Sequence, residues 1–184
     1  MNKWQTAFIV FIALLLCGAS TAETRLMTYG KGPLEVILFT DFFCPPCQKL
    51  EGLISGTLDN IINNNIASVT FVPLPMSKKS MILALHLISY SEGKSYKAVA
   101  QNRKKLYDMA KSGAVTDEMV DQWVRKYRGK SEELNPYIKS MNDTITENNV
   151  TSTPTCIIRY AGGVKQTFKG YKDIQDALNA LRKI

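Results

Sequence analysis

The chain has 184 residues, 45% hydrophobic and 21% charged, with a formal net charge of +7. That length and balance exclude a disordered or fibrous chain; they suit one compact domain with an insertion, or two small lobes, with a core that needs no disulfide staples. The excess charge sits in Lys78-Lys79, Arg103-Lys104-Lys105 and Arg125 to Lys130, read as solvated helix faces with at most weak attraction to acidic proteins or anionic headgroups, and not as a nucleic-acid interface, which would want interleaved aromatics and a cytoplasmic address.

Residues 1–22 read as a secretory signal peptide. Lys3 supplies the positive start, Ala7 to Leu16 the apolar stretch, and Ser20-Thr21-Ala22 the small residues of a cleavage site. The apolar run falls short of the about 20 residues that a spanning helix needs. Cleavage after Ala22 is therefore expected, with release into the periplasm, an oxidising compartment, and no stable membrane insertion afterwards. A lipid anchor on Cys17 is the weaker alternative, because bulky Leu16 stands where a small residue is wanted. The mature chain then keeps Cys44, Cys47 and Cys156, an odd number with one closely spaced pair, which is no structural disulfide framework.

Thr24 to Tyr29 is a candidate edge strand. Glu35-Val36-Ile37-Leu38-Phe39-Thr40, after Gly32-Pro33, is apolar and β-branched and reads as a buried central strand. Pro45 to Asn60 carries Leu50, Leu53, Ile54 and Leu58 at helical spacing, and Ala67 to Leu74 is a second strand, which completes a right-handed βαβ unit. From Ser77 to about Asn148 the pattern is helical. Met81 to Ile88 and Tyr96 to Met109 mark two helices, with Gly93 and Gly113 as punctuation. Thr116 caps a third, with Asp117 and Glu118 in its first turn, and Ser131 opens a fourth in which Pro136 permits only a kink or a boundary. Thr155 to Tyr160, the turn Ala161-Gly162-Gly163 and Val164 to Lys169 form a hairpin, and Asp173 to Ile184 closes the chain as a helix. The fold class expected is α/β, a thioredoxin fold (βαβ–ββα) divided as 23–76 and 149–184, with residues 77–148 a helical domain inserted between the halves.

The chemistry centres on Phe42-Phe43-Cys44-Pro45-Pro46-Cys47, where a strand ends and a helix begins. A thiol at a helix N-terminus faces unpaired backbone N–H groups and the positive end of the dipole, which favour thiolate. Cys44 is thus the expected nucleophile, and Cys47, one turn into the helix, the resolving thiol. Pro45 and Pro46 suit a first helical turn, where missing N–H groups cost little. A zinc half-site is the weaker reading, since Cys156 and the lone His86 are not placed to complete four ligands; a static disulfide is weakened by the exposed helix start. Thr153-Pro154, before the hairpin, is the second feature. A cis-proline there would offer the Thr153 backbone to an extended client peptide, and an ordinary trans turn is the alternative.

The run Val36 to Leu50, the strand Val69 to Leu74, Thr153-Pro154, and Gly170-Tyr171 before the last helix together resemble the bacterial Dsb family of thiol–disulfide oxidoreductases. The likeness is closer to the isomerase branch, DsbC and DsbG, than to DsbA, and threonine before the proline is part of that likeness. The resemblance implies catalytic Cys44 and Cys47 forming a redox-active disulfide, Pro154 in cis, and no bound cofactor or metal. It also implies unfolded or mispaired exported proteins as clients and a membrane thiol–oxidoreductase as electron partner. A reductase dedicated to one client, such as a cytochrome maturation factor, and a non-catalytic or metal-carrying peptide-binding chaperone are the alternatives.

Several positions depart from that pattern. About twenty residues separate Ala22 from Cys44, too few for the N-terminal dimerisation domain of the isomerase branch. Leu38 stands where some relatives carry a buried acid. Pro45-Pro46 offers no N–H, and no histidine adjoins Cys44, so the pair is expected to be a milder oxidant than DsbA. Cys156, two residues past Pro154, is either a buried inert hydrophobe or a thiol that traps or tunes the pair. Asp41 reads as a strand-end or capping acid, or else as a proton shuttle. His86 reads as a packed helix residue sooner than a ligand, and Phe42-Phe43 as packing beside the site.

Overall fold

Val36 to Phe39 are almost fully buried on both faces of their strand, and such a strand must lie in the middle of a sheet covered on both sides. The computed structural model, which describes residues 26–183, places it there. Strands β1 (Met27–Tyr29), β2 (Leu34–Thr40), β3 (Ala67–Pro73), β4 (Thr155–Arg159) and β5 (Lys165–Lys169) form one sheet in the order β1-β3-β2-β4-β5. β2 and β3 run parallel from Leu34↔Ala67 to Thr40↔Pro73, joined by helix α1 (Pro45–Asn63). β4 returns antiparallel to β2, with Cys156 opposite Leu38, and β5 pairs with β4. β1 closes the other edge antiparallel to β3. A Cβ on Gly32 would collide with the backbone at Ile66–Ala67, so the chain can pass into β2 only through glycine.

Four helices stand between β3 and β4: α2 (Lys78–Ser91), α3 (Tyr96–Ser112), α4 (Asp117–Arg128) and α5 (Ser131–Glu147). Their starts follow local rules: Ser77, Ser95 and Thr116 each accept a bond from the backbone N–H three residues on, at 3.1, 3.4 and 3.3 Å. α2 packs against α3, α4 and α5, and α5 against β3. The last helix, α6 (Tyr171–Leu181), lies along α1 and against β5. This is the thioredoxin fold with a helical segment between its βαβ and ββα halves.

Three expectations need correction or sharpening. Pro136 does not bound α5: it is the sixth residue of the helix, where it removes the bond to the Glu132 carbonyl. The final helix begins at Tyr171, two residues earlier than expected. Arg103 is not on a solvated face: it is 3% exposed, its guanidinium 4.2 Å over the Phe71 ring, with Nε donating at 3.2 Å and Nη2 also donating to the Glu51 carboxylate in α1. The expected signal peptide, residues 1–22 with Cys17, lies outside the described residues. Among the described residues no helix is long and apolar enough to cross a membrane.

Candidate active site

β2 delivers the chain to the sheet's C-terminal edge, where Asp41 and the turn Phe42-Phe43 lead into α1. Cys44 is the N-cap residue of α1 with extended backbone angles, φ −77° and ψ 114°, and its carbonyl accepts the first helical bond from Gln48 N–H at 3.0 Å. Pro45 and Pro46, both exposed, fill the first two helical positions, where two N–H groups would otherwise point at the cap. No side chain caps this helix. Cys44 is half-buried at the N-terminus of α1, where the helix dipole favours negative charge.

Cys47, one turn on, is 1% exposed and belongs to the core. Burial raises its pKa well above the ordinary thiol value; the main chain of Asp41 opposes the shift, contact with Cys44 adds to it, and Thr153 opposes it. The two cysteines are therefore adjacent but unlike: one sulfur reachable, the other kept protonated inside.

The second expected feature meets the first in space, across more than a hundred residues of sequence. The Thr153–Pro154 peptide bond is cis, and the Cys44 thiol donates to the Thr153 carbonyl at 3.4 Å. The loop is pinned on both sides: Thr155 Oγ1 donates to the Ser152 carbonyl at 2.7 Å, and Gly170 N–H donates to the Pro154 carbonyl at 3.0 Å. Gly170 precedes α6, whose Tyr171 hydroxyl accepts from Lys49 Nζ at 2.9 Å, so the proline loop, α6 and α1 form one braced rim around Cys44.

Beneath the rim, Phe42 is buried against the Tyr107 ring of α3 at 4.8 Å between centroids, and its carbonyl accepts from Gln48 Nε2 at 2.9 Å. Phe43 is half-exposed beside Cys44. A cavity of about 480 Å³ between α1 and α3, bordered by Gln48, Tyr96 and Arg103, contains neither cysteine.

Cys156 is fully buried in β4, and burial raises its pKa. Of its two readings the geometry supports the inert one. His86 stacks on Trp123 at 4.4 Å and bonds the Tyr127 hydroxyl through Nδ1 at 2.8 Å, inside the helical segment. Among the described residues no three His, Cys, Asp or Glu side chains converge to hold a metal ion.

Sequence reasoning missed two links. Asp41 is 3% exposed, and both its oxygens are taken: Oδ1 accepts from Phe43 N–H at 2.7 Å, while Oδ2 accepts from Met76 N–H at 2.8 Å and from the Ser80 hydroxyl. This is the strand-end acid of the two readings, but it also reaches the helical segment, which no local signal announced. The Arg103–Glu51 pair, 52 residues apart in sequence, carried no signal either.

The family model described as thioredoxin matches residues 21–180. No curated protein matches the chain. Among solved structures, the chain is similar to alpha-DsbA1 of Wolbachia pipientis (13% identity, TM-score 0.62, covering 92% of this chain and 94% of that one). It is similar to oxidised BdbD of Bacillus subtilis (19%, TM-score 0.60, 87% and 94%). It is also similar to a periplasmic thioredoxin-like protein of Salmonella enterica serovar Typhimurium (20%, TM-score 0.61, 92% and 94%). These likenesses speak to the fold, and two of the three names are of Dsb or Bdb type, with no DsbC or DsbG among them. With the family model spanning nearly all of the described chain, and with a cysteine pair at the start of α1 facing a cis-proline loop, the chain belongs to the thioredoxin family of thiol–disulfide oxidoreductases.

Proposed function

We propose that the protein is an exported thiol–disulfide interchange enzyme that acts on unfolded or mispaired proteins through Cys44 and Cys47. The observation that carries this reading is the asymmetry of the pair: Cys44 half-exposed at the helix cap, 3.4 Å from the Thr153 carbonyl, and Cys47 sealed behind it. Only one sulfur can be attacked from outside, so every exchange passes through a mixed disulfide on Cys44.

The electron accounting runs both ways. In oxidation, a client thiolate attacks Cys44 Sγ of the enzyme disulfide, the Cys44–Cys47 bond breaks, and Cys47 leaves and takes a proton. A second client thiolate then attacks the client sulfur of the mixed disulfide and expels Cys44, so client and enzyme exchange two electrons. In isomerisation, the Cys44 thiolate attacks a wrong client disulfide, and the client's displaced thiolate attacks elsewhere until Cys44 is expelled unchanged. When the client stalls, Cys47 deprotonates, attacks Cys44 Sγ and releases the client reduced. The Thr153 backbone beside Cys44 is the proposed docking edge for an extended client segment.

Within this reading we favour isomerase or reductase duty over strong oxidation. Pro45 and Pro46 supply no N–H to a Cys44 thiolate, and no histidine adjoins it. The periplasmic address rests on residues 1–22 and agrees with the likeness to the periplasmic thioredoxin-like protein of Salmonella enterica. A membrane thiol–oxidoreductase is the proposed electron partner; no bound cofactor, metal or nucleic acid enters the reaction.

The test uses a substrate protein with scrambled disulfides, incubated with the mature chain in a glutathione buffer. Recovery of substrate activity is expected for the wild type, none for Cys44→Ser, and a partial rate with accumulated mixed disulfide for Cys47→Ser. Equal recovery with Cys44→Ser and wild type would overturn the catalytic reading in favour of peptide binding alone. Oxidation of reduced substrate without reshuffling would overturn the isomerase preference.

A further inference from the structure

The Asp41 carboxylate is buried two residues before the half-exposed Phe43 and three before the candidate nucleophile. It accepts three hydrogen bonds, all from uncharged donors: Phe43 N–H, Met76 N–H and the Ser80 hydroxyl. Among the described residues no cation pairs with it. Its backbone is engaged as well, since its carbonyl accepts from Cys44 N–H at 3.3 Å. Met76 and Ser80 belong to the link from β3 into α2 and to the first turn of α2, and Ser80 is itself held by the Ser77 cap at 3.1 Å. One side chain thus ties the active-site turn to the first helix of the inserted segment.

A buried carboxylate without a counter-cation is expensive, and neutral donors only partly disperse its charge. Two consequences fall on the neighbouring sulfur. Phe43 N–H is committed to Asp41 and is withdrawn from any anion at Cys44. The negative charge also opposes a second negative charge nearby, and its field is weakly screened in the protein. Both penalise negative charge on Cys44 in the reduced pair and leave the neutral disulfide untouched.

We propose that Asp41 is a positioning residue that sets the redox poise of the Cys44–Cys47 pair, holding it away from strong oxidation, and that Ser80 in α2 tunes it by dispersing the Asp41 charge. The inference rests on the proposed redox role of that pair. It assigns the inserted segment a part in the chemistry: a donor on α2 acts, through Asp41, on the sulfur at the start of α1. It also recasts the expectation of a mild oxidant, which then comes from a carboxylate below the turn as well as from the two prolines.

The experiment equilibrates the mature wild type, Asp41→Asn and Ser80→Ala with glutathione buffers and reads the constant for enzyme disulfide plus two glutathione going to enzyme dithiol plus glutathione disulfide. Thermal melts of both redox forms check folding. Asp41→Asn keeps the shape and removes the charge; its constant is expected to rise about threefold to tenfold, toward the oxidising side, a tenfold change being about 30 mV. Ser80→Ala concentrates charge on the carboxylate; its constant is expected to fall about twofold. Opposite signs from two variants that both lower the melting temperature separate an electrostatic role from simple loosening. Unchanged constants in both, or shifts of the same sign, overturn the inference. If Asp41→Asn fails to fold, the fall in Ser80→Ala stands as the test, and an unchanged constant there overturns it. A wild type with no reversible thiol titration overturns instead the proposed role of the pair, a result distinct from either variant failing to shift.

Discussion

The joint between the inserted helices and α1 can be probed through Glu51. Its carboxylate, 15% exposed, meets the Arg103 guanidinium, 3% exposed and lying over Phe71. Burial works against the arginine's charge, and Glu51 together with Tyr107 and Tyr96 more than offsets it, so the guanidinium is held firmly charged. Glu51→Gln preserves shape and one acceptor but strands that charge among Phe71, Tyr96 and Tyr107. Removing one partner of a buried pair costs about 3–5 kcal/mol; the residual amide oxygen and the slight exposure of Glu51 place this variant near about 3 kcal/mol. At about 2–4 °C per kcal/mol for a chain of this size, the melting temperature should fall by about 6–12 °C. Urea unfolding of wild type, Glu51→Gln, Arg103→Leu and the double Glu51→Leu/Arg103→Leu checks it. The double variant should cost less than the worse single, because it leaves no uncompensated charge. A loss under about 1 kcal/mol for Glu51→Gln, or strictly additive effects, would refute the claim that this pair carries the joint.

Other consequences can be checked in parallel. Because burial holds the Cys47 thiol protonated well above neutrality, release of a mixed disulfide by Cys47 should accelerate about tenfold per pH unit between pH 6 and 8; stopped-flow measurement of a preformed Cys44–glutathione adduct reads this, and a flat profile would contradict it. Cys156, fully buried with its pKa raised by burial, should resist alkylation in the native reduced protein while Cys44 reacts, as read by peptide mass spectrometry. Cys156→Ala should cost about 1 kcal/mol of stability and change the exchange rate less than about twofold. The pKa of His86 is lowered by burial and by Lys126, so its folded state binds protons less readily than the unfolded chain. The stability it contributes is present above the unfolded value of about 6.5 and is lost as pH falls through the lower folded value. Melting temperatures at pH 7 and pH 5 should therefore converge in His86→Gln relative to wild type, and an unchanged pH dependence would count against the half-buried stack on Trp123.

What could be read from the sequence was local. The strand Leu34–Thr40, the helix opened by Pro45-Pro46, the caps Ser77, Ser95 and Thr116 and the glycine turn before β5 each carry their own instructions, so element order and fold class followed from them. The pairing of Cys44 with Thr153 was legible only because resemblance joined two motifs 109 residues apart. Pro136 marks no boundary: it stands at the sixth position of α5, and the helix continues past it to Glu147. Arg103 looked like one more member of a basic run; nothing in its neighbourhood says that α3 turns it toward Glu51 and Phe71. Asp41 could be recognised as a strand-end acid, but its partners Met76 and Ser80 are set by where α2 docks, a tertiary fact with no local trace.

The central claim is that Cys44 and Cys47 form a reversible redox pair of moderate poise. It is tested most directly by equilibrating the mature protein with glutathione buffers and counting Cys44 and Cys47 thiols by alkylation. A single two-electron transition between about −180 and −270 mV is the expected result. A value near about −120 mV would contradict the moderate poise argued from Pro45, Pro46 and Asp41, and the absence of any reversible transition would contradict the redox function itself.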